Sequence, residues 1–218
     1  MNMETDKPQL AIVKSCEGDL LEHGDNFRGV GWTKKKEYAD LRYQVMLDLL
    51  RENDPVTLLD VGCGAAHLLE YMRSHRYDHV EYSGLDLSQA FLDLSRGKFT
   101  DITFYREDIL ANNEPIPKHD YVVMNGLFNW RGESSHEEMW AYCQAMIKRA
   151  FNLARVGIAF NVMSKYVDWE REDLFHLPFE TLASFLDREV SRHFTFRHDY
   201  GLFEYTAYVY RKPLCDLV

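Results

Sequence analysis

Short apolar runs alternate with amphipathic stretches along most of the chain. The apolar runs, rich in β-branched and aromatic residues, predict seven strands, at 56–61, 80–85, 102–105, 121–124, 157–162, 194–197 and 204–211. Apolar residues at helical spacing predict helices at 34–51, 65–73, 88–96, 137–153 and 178–190. Strands that alternate with helices form a mainly parallel sheet with helices on both faces. The last two runs are joined by a short turn with a glycine, so they predict a hairpin that adds an antiparallel strand. The predicted fold is a doubly wound α/β domain with a seven-stranded, mainly parallel sheet.

The first 32 residues show a different pattern. They have no sustained periodicity and contain four glycines, so we expect an irregular segment of turns over 1–32, which could act as a lid. Thr33 has the position of a helix cap. No repeat, low-complexity tract or linker divides the remainder, so we expect one domain over 33–218.

Composition and charge narrow the function classes. The chain has 218 residues, of which 46% are hydrophobic and 14% aromatic, enough for one large core. Its net charge of −10 repels phosphate backbones and anionic lipid, so neither nucleic acid nor a membrane is an expected partner. The four cysteines show no Cys-x-x-Cys spacing and predict no metal site. No apolar leader or spanning run is present, so we expect a cytoplasmic protein; a homodimer stays open.

A glycine turn follows the first predicted strand. The run 58–64 reads Leu-Leu-Asp-Val-Gly-Cys-Gly. In an open parallel sheet, ligands bind outside the carboxyl ends of the strands. Glycines there let the backbone approach a ligand closely and open a helix whose N-terminus faces it. A Gly-x-Gly turn alone is weak evidence, since it also occurs as a tight turn with no ligand.

Acidic residues end the next two strands. Asp86 follows the second strand, where a carboxylate can accept hydrogen bonds from both ribose hydroxyls of a nucleoside. Asp108, followed by Ile109, comes after the third strand, where an acid and an apolar side chain suit an adenine ring. Each aspartate alone could be a turn residue. Together with the glycine turn they indicate a nucleoside-containing ligand.

With these residues the chain resembles the class I, Rossmann-like methyltransferases that use S-adenosylmethionine (SAM), over roughly residues 33–211. The resemblance implies that Asp86 holds the ribose and Asp108 the adenine, while the glycine turn surrounds the methionine part. It implies cofactor contacts from Trp32, Asp60, Gly62, Cys63, Gly64, Asp86, Leu87, Asp108, Ile109 and Asn125. The run 23–32 also looks like the lead-in of small-molecule methyltransferases, which would fold over the cofactor. Ala66 departs from the family, which most often has glycine there.

Two other classes of function share part of this pattern. A nicotinamide-dependent oxidoreductase would normally show Gly-x-Gly-x-x-Gly, but the third position is His67. A non-catalytic binding or regulatory module of the same fold would not need the acidic pair Asp86 and Asp108. Enzymes that methylate DNA amino groups carry prolines after the fourth strand, and residues 125–130 contain none. We therefore expect a small acceptor, such as a sugar, an amino acid derivative or a secondary metabolite.

The acceptor site should lie at the carboxyl ends of the later strands. Methyl transfer from a sulfonium to oxygen or nitrogen needs alignment and exclusion of water, and a general base only when the acceptor keeps its proton. His198 is the preferred base because its ordinary pKa lies near neutrality, and His136 is the second candidate. The expected substrate contacts are Phe128, Asn129, Trp130, Tyr166 and Tyr200.

Overall fold

The computed structural model describes residues 7–32, 35–51, 55–111 and 115–214. These residues form one seven-stranded sheet with the order β3-β2-β1-β4-β5-β7-β6. The strands are β1 (Val56–Val61), β2 (Val80–Leu85), β3 (Thr103–Tyr105), β4 (His119–Phe128), β5 (Ala154–Met163), β6 (His193–Arg197) and β7 (Glu204–Tyr210). The first five strands pair in parallel, and β7 pairs antiparallel with both β5 and β6. This confirms the predicted fold class.

Six helices accompany the sheet in the described part of the chain. They are α1 (Pro8–His23), α2 (Lys36–Leu47), α3 (His67–Ser74), α4 (Gln89–Lys98), α5 (His136–Leu153) and α6 (Phe179–Glu189). Ser88 caps α4 by accepting a hydrogen bond from the amide of Phe91. Ser135 and Glu138 form a capping box at the start of α5. None of the described helices is both long and apolar enough to cross a membrane.

The prediction of irregular structure at the N-terminus was wrong for the residues that the structure describes. Residues 8–23 form α1, which ends where Gly24 adopts a φ of +71°. The cavity side of α1 carries Gln9, Ile12, Val13 and Cys16, at the spacing of one helix face. A polar residue begins this stripe, so the helical periodicity was too weak to recognise. The predicted cap Thr33 lies outside the described residues.

The sequence predicted the positions of the central strands well but placed the end of β4 too early. β1 and β2 occupy the predicted residues, because both are apolar runs followed by turn-forming residues. β4 extends four residues beyond its predicted end, to Phe128, through a register irregularity after Met124. Asn125 and Gly126, both poor strand formers, suggested an earlier end. This extension brings the residues that follow Met124 to the edge of the sheet where the candidate site lies.

The sheet separates two hydrophobic clusters. One includes Val122, Phe160 and residues of α5 and α6, and the other includes Leu58, Tyr121 and residues of α2 and α3. Side chains of successive strand residues point to opposite faces, so each central strand contributes to both clusters. The buried strands therefore hold their carboxyl ends in fixed positions, on which the site is built.

Candidate active site

A cavity of about 950 Å³ lies at the carboxyl ends of β1, β2 and β4. Pockets for drug-sized ligands span roughly 300–1,000 Å³, so this one is at the upper end of that range. Residues of α1 line the cavity opposite the sheet. All ten residues expected to contact the cofactor line it: Trp32, Asp60, Gly62, Cys63, Gly64, Asp86, Leu87, Asp108, Ile109 and Asn125.

The glycine turn after β1 has a left-handed backbone. The φ angles are +75° at Gly62, +51° at Gly64 and +57° at Ala66. A Cβ at position 62 would lie 2.5 Å from Cδ2 of Leu127, so position 62 also has no room for a side chain. Ala66 bears the cost of a left-handed residue, about 1 kcal/mol. The backbone thus keeps the geometry for which the family most often uses glycine.

Asp86 fastens this turn to the end of β2. One carboxylate oxygen accepts from the amide of Gly64 at 2.8 Å, and the other accepts from the amide of Ser88 at 2.8 Å. Burial raises the pKa of Asp86, and these backbone bonds oppose the rise. Asp86 is therefore also a turn residue. The amide of Leu87 also stabilises the carboxylate, which has about four acceptor sites in all, so a ribose hydroxyl can still be accepted.

Asp60 is buried at the bottom of the cavity. It is 3% exposed, and the hydroxyl of Tyr82 donates to its Oδ2 at 2.8 Å. Burial raises the pKa of Asp60 to about 7, with a smaller contribution from the negative charge of Asp86. A cationic ligand in the cavity would favour the ionised carboxylate.

Helix α1 contacts the two strand ends that carry the acidic residues. The hydroxyl of Ser88 donates to Oε1 of Glu17 at 2.6 Å, and the amide nitrogen of Gln9 lies 3.5 Å from Oδ2 of Asp108. The other oxygen of Asp108 accepts from the amide of Leu110 at 2.9 Å. The N-terminal segment therefore covers the predicted adenosine side of the cavity.

Trp32 forms part of the cavity wall. Its indole nitrogen donates to the hydroxyl of Tyr43 at 3.3 Å, and the Arg42 guanidinium lies 4.4 Å from the ring centroid. A Cβ at Gly126 would come within 2.8 Å of the same ring. Trp32 therefore fits closely between α2 and the end of β4.

The part of the cavity away from the glycine turn contains a buried ion pair that the sequence did not reveal. The Arg42 guanidinium donates to both oxygens of Glu204, at 2.8 and 2.9 Å, and Glu204 is 2% exposed. Asn161 donates to the same carboxylate at 2.9 Å, and Asn129 at 3.3 Å. Because Arg42 and Glu204 lie 162 residues apart, no local pattern could have paired them.

Of the five residues expected to contact a substrate, Asn129 and Trp130 line the cavity. The other three do not. Phe128 is fully buried against Tyr142 and Phe160, Tyr200 is buried with its hydroxyl 3.1 Å from that of Thr206, and Tyr166 is 65% exposed. Side chains of successive strand residues alternate in direction, which explains why Phe128 and its neighbour Asn129 lie on different sides.

The two candidate bases lie outside the cavity lining. His198 is exposed, with its ring 5.5 Å from that of Phe179. His136 has its Nε2 3.1 Å from the carbonyl of His176 and packs against Phe175. Among the described lining residues the one histidine is His67, which is at the glycine-turn end. The structure thus gives no support to His198 or His136 as a base.

An S-adenosyl group fits the residues that are present. Oδ1 of Asn125 is buried and has no hydrogen-bond partner among the described residues, although Asn125 lines the cavity beside the glycine turn. A buried carbonyl oxygen of this kind suits a donor such as an α-ammonium group. Asp86 and Asp108 provide acceptors for hydroxyls and an amine, as described above.

Comparisons with solved structures define the class of fold. Magnesium protoporphyrin IX methyltransferase from Synechocystis PCC 6803, solved with SAM, matches with a TM-score of 0.66 and 14% identity, covering 97% of this chain and 100% of that one. Human N-acetylserotonin methyltransferase, also solved with SAM, matches with a TM-score of 0.58 and 13% identity, covering 94% of this chain and 67% of that one. The fold is therefore the class I methyltransferase fold.

Comparisons of sequence are consistent with this fold. A model described as a methyltransferase domain matches residues 59–156. A protein of Mycobacterium tuberculosis with the provisional name of a methyltransferase is 29% identical over 158 residues, which cover 72% of this chain and 93% of that protein. The chain therefore has the class I methyltransferase fold, and its glycine turn and both acidic strand ends lie inside the matched methyltransferase domain.

Proposed function

We propose that this methyltransferase binds SAM in the 950 Å³ cavity and transfers its methyl group to an oxygen or nitrogen of a small molecule. The observation that carries the proposal is that one continuous cavity contains all ten residues expected to hold the cofactor and then continues to Asn129 and Trp130. We call the part of the cavity that holds Asn129 and Trp130 the acceptor half. It would lie next to the methionine end of the bound cofactor, which is the position that an acceptor needs.

The chain's own residues would act by binding and positioning. SAM, when bound, supplies an electrophilic methyl group on a sulfonium. Asp86 and Asp108 would hold the ribose and adenine, and Asn125 would accept from the methionine part. Helix α1 and Trp32 cover this half and would exclude water, which otherwise competes with the acceptor.

A dedicated histidine base is not part of this proposal. The lining histidine of the described residues, His67, has its Nε2 2.7 Å from Asp25, at the end remote from the acceptor half. Alignment of a reactive acceptor with the methyl group can supply a large share of the rate enhancement. We therefore propose that the enzyme works mainly by orientation and desolvation.

The small-molecule acceptor rests on charge and on fold-level similarity. The net charge of −10 disfavours nucleic acid, and two of the structural neighbours are named for a porphyrin and for N-acetylserotonin. Similarity of fold alone does not transfer a substrate. A cytoplasmic location and a homodimer stay predictions from the sequence.

Isothermal titration calorimetry with S-adenosylhomocysteine (SAH) tests the cofactor site. We expect the parent protein to bind SAH, and Asp86→Ala to lose detectable binding while staying folded by circular dichroism. Asp93→Ala, at an exposed position of α4, is the matched control and should bind like the parent. Unchanged affinity in Asp86→Ala would remove Asp86 from the ribose site.

A transfer assay separates the enzyme from its rivals. Protein incubated with methyl-labelled SAM and pooled metabolites should yield labelled small molecules. Binding of SAH without any transfer would favour the non-catalytic module, and binding of NAD in place of SAH would favour the oxidoreductase.

A further inference from the structure

The carboxylate of Glu204 fixes the orientation of two asparagine amides. It accepts from Arg42, from Asn161 Nδ2 and from Asn129 Nδ2. An ionised carboxylate has no proton to donate, so each amide must turn its NH₂ group toward Glu204. This settles which amide atom is nitrogen at both positions, a choice that otherwise rests on assignment. The carbonyl oxygens therefore point away from Glu204.

The two carbonyl oxygens have different surroundings. Oδ1 of Asn161 accepts from the amide of Gly126 at 2.7 Å. Oδ1 of Asn129 is buried and has no hydrogen-bond partner among the described residues. Leaving a buried acceptor unpaired costs about 1–3 kcal/mol. Asn129 lines the acceptor half of the cavity, so a donor on a bound molecule can offset that cost.

The side chains around Asn129 indicate what kind of ligand would bind beside it. Two lining arginines are paired, Arg42 with Glu204 and Arg171 with Asp173 at 2.9 Å, and the further charged lining residues Lys35 and Asp168 are exposed. The wall is largely aromatic and apolar, formed by Trp130, Met163, Trp169, Leu202 and Phe203. Such a wall favours an uncharged, planar ligand over one that carries a carboxylate or a phosphate.

We propose that Asn129 Oδ1 accepts a hydrogen bond from a hydroxyl or amine of the methyl acceptor, and that the acceptor is an uncharged aromatic molecule. Glu204 is then a positioning residue, because it holds the Asn129 amide in the accepting orientation without touching the substrate. This inference rests on the proposed function, since it assigns the ligand of the acceptor half of the same cavity.

Three fluorinated probes of similar size test the inference by binding alone. They are 4-fluorophenol, 4-fluoroaniline and 4-fluorotoluene, titrated into SAH-saturated protein and followed by ¹⁹F NMR. The phenol and the aniline carry a donor, and the toluene carries none. We expect the donor probes to bind the parent about 3- to 10-fold more tightly than the toluene, as one neutral hydrogen bond provides.

Two variants and a control assign the preference to named residues. Asn129→Leu removes the acceptor, so the order should reverse in favour of the more apolar toluene. Glu204→Gln lets the Asn129 amide turn and should reduce the preference, with SAH affinity unchanged. Asn152→Leu, at an exposed position of α5, should retain the parent's order.

The outcomes are distinct. Failure of the parent to bind SAH would overturn the proposed function itself. With SAH bound, a parent that prefers the toluene, or an Asn129→Leu variant that keeps the donor preference, would overturn the role of Asn129. No binding of any probe up to its solubility limit would overturn the assignment of an aromatic acceptor.

Discussion

The buried carboxyl of Asp60 should make SAM binding release a proton. In the free protein, burial raises its pKa from 3.8 to about 7, so the group is largely protonated at pH 6. SAM carries a positive sulfonium and an ammonium group, and a nearby cation favours the ionised carboxylate. Binding should therefore lower the pKa of Asp60 and expel its proton.

The magnitude follows from the titration of the free protein. With a pKa of about 7, about 0.9 of the Asp60 carboxyls carry a proton at pH 6. Up to about 0.9 protons per SAM should then be released at that pH. The release should shrink toward pH 8, where the free protein has already lost the proton.

The same shift sets the pH dependence of stability. A carboxyl with a raised folded-state pKa holds its proton between pH 3.8 and about 7, where the unfolded chain has released it. Its contribution to the free energy of unfolding is therefore lost as pH rises through that window, by about 4 kcal/mol for a shift of this size. Asp60→Asn should flatten the profile and keep the Tyr82 hydrogen bond.

Calorimetry in two buffers of different ionisation enthalpy measures the released protons directly. At pH 6, phosphate and MES should give different observed enthalpies for the parent and nearly equal ones for Asp60→Asn. SAH, which lacks the sulfonium charge, should release fewer protons than SAM. Equal enthalpies for the parent in both buffers, or an undiminished release in Asp60→Asn, would refute the reasoning.

Three further substitutions probe the walls of the cavity. Gly126→Ala should lower the unfolding free energy by about 1–2 kcal/mol for its φ of +85°, and it should weaken SAH binding by displacing Trp32, so parent-like urea unfolding would contradict the close fit. Arg42→Met leaves the Glu204 charge buried and should cost about 3–5 kcal/mol in urea unfolding; the double variant with Glu204→Gln should recover part of the loss, and additive losses would argue against the pair. Glu17→Ala frees α1 from α4 and should speed SAH dissociation in stopped-flow measurements, whereas an unchanged rate would exclude this contact from closing the site.

The sequence predicted which strand-end residues line the cavity because the determinants of these positions are local. Glycines and acidic residues directly follow apolar strands, and the parallel sheet brings those strand ends together. The order of elements alone therefore placed the glycine turn, Asp86 and Asp108 around one cavity.

The acceptor half could not be predicted in the same way because it depends on distant pairings. Glu204 reaches Asn161 only through the antiparallel register of β7 on β5, in which Met163 faces Glu204. Histidines are suitable bases by their ordinary pKa, yet His198 is exposed and packs near Phe179, and it does not line the cavity although residues 201–203 of the same turn do. Residue type is a poor guide when the position depends on tertiary contacts.

A crystal structure of the protein with SAH would locate the cofactor site. Density should run along the turn from Gly62 to Gly64, with the ribose hydroxyls on Asp86 and the adenine amine on Asp108. The sulfur should face the half of the cavity that holds Asn129. Density for SAH elsewhere on the protein, or a ribose that does not contact Asp86, would contradict this placement of the cofactor.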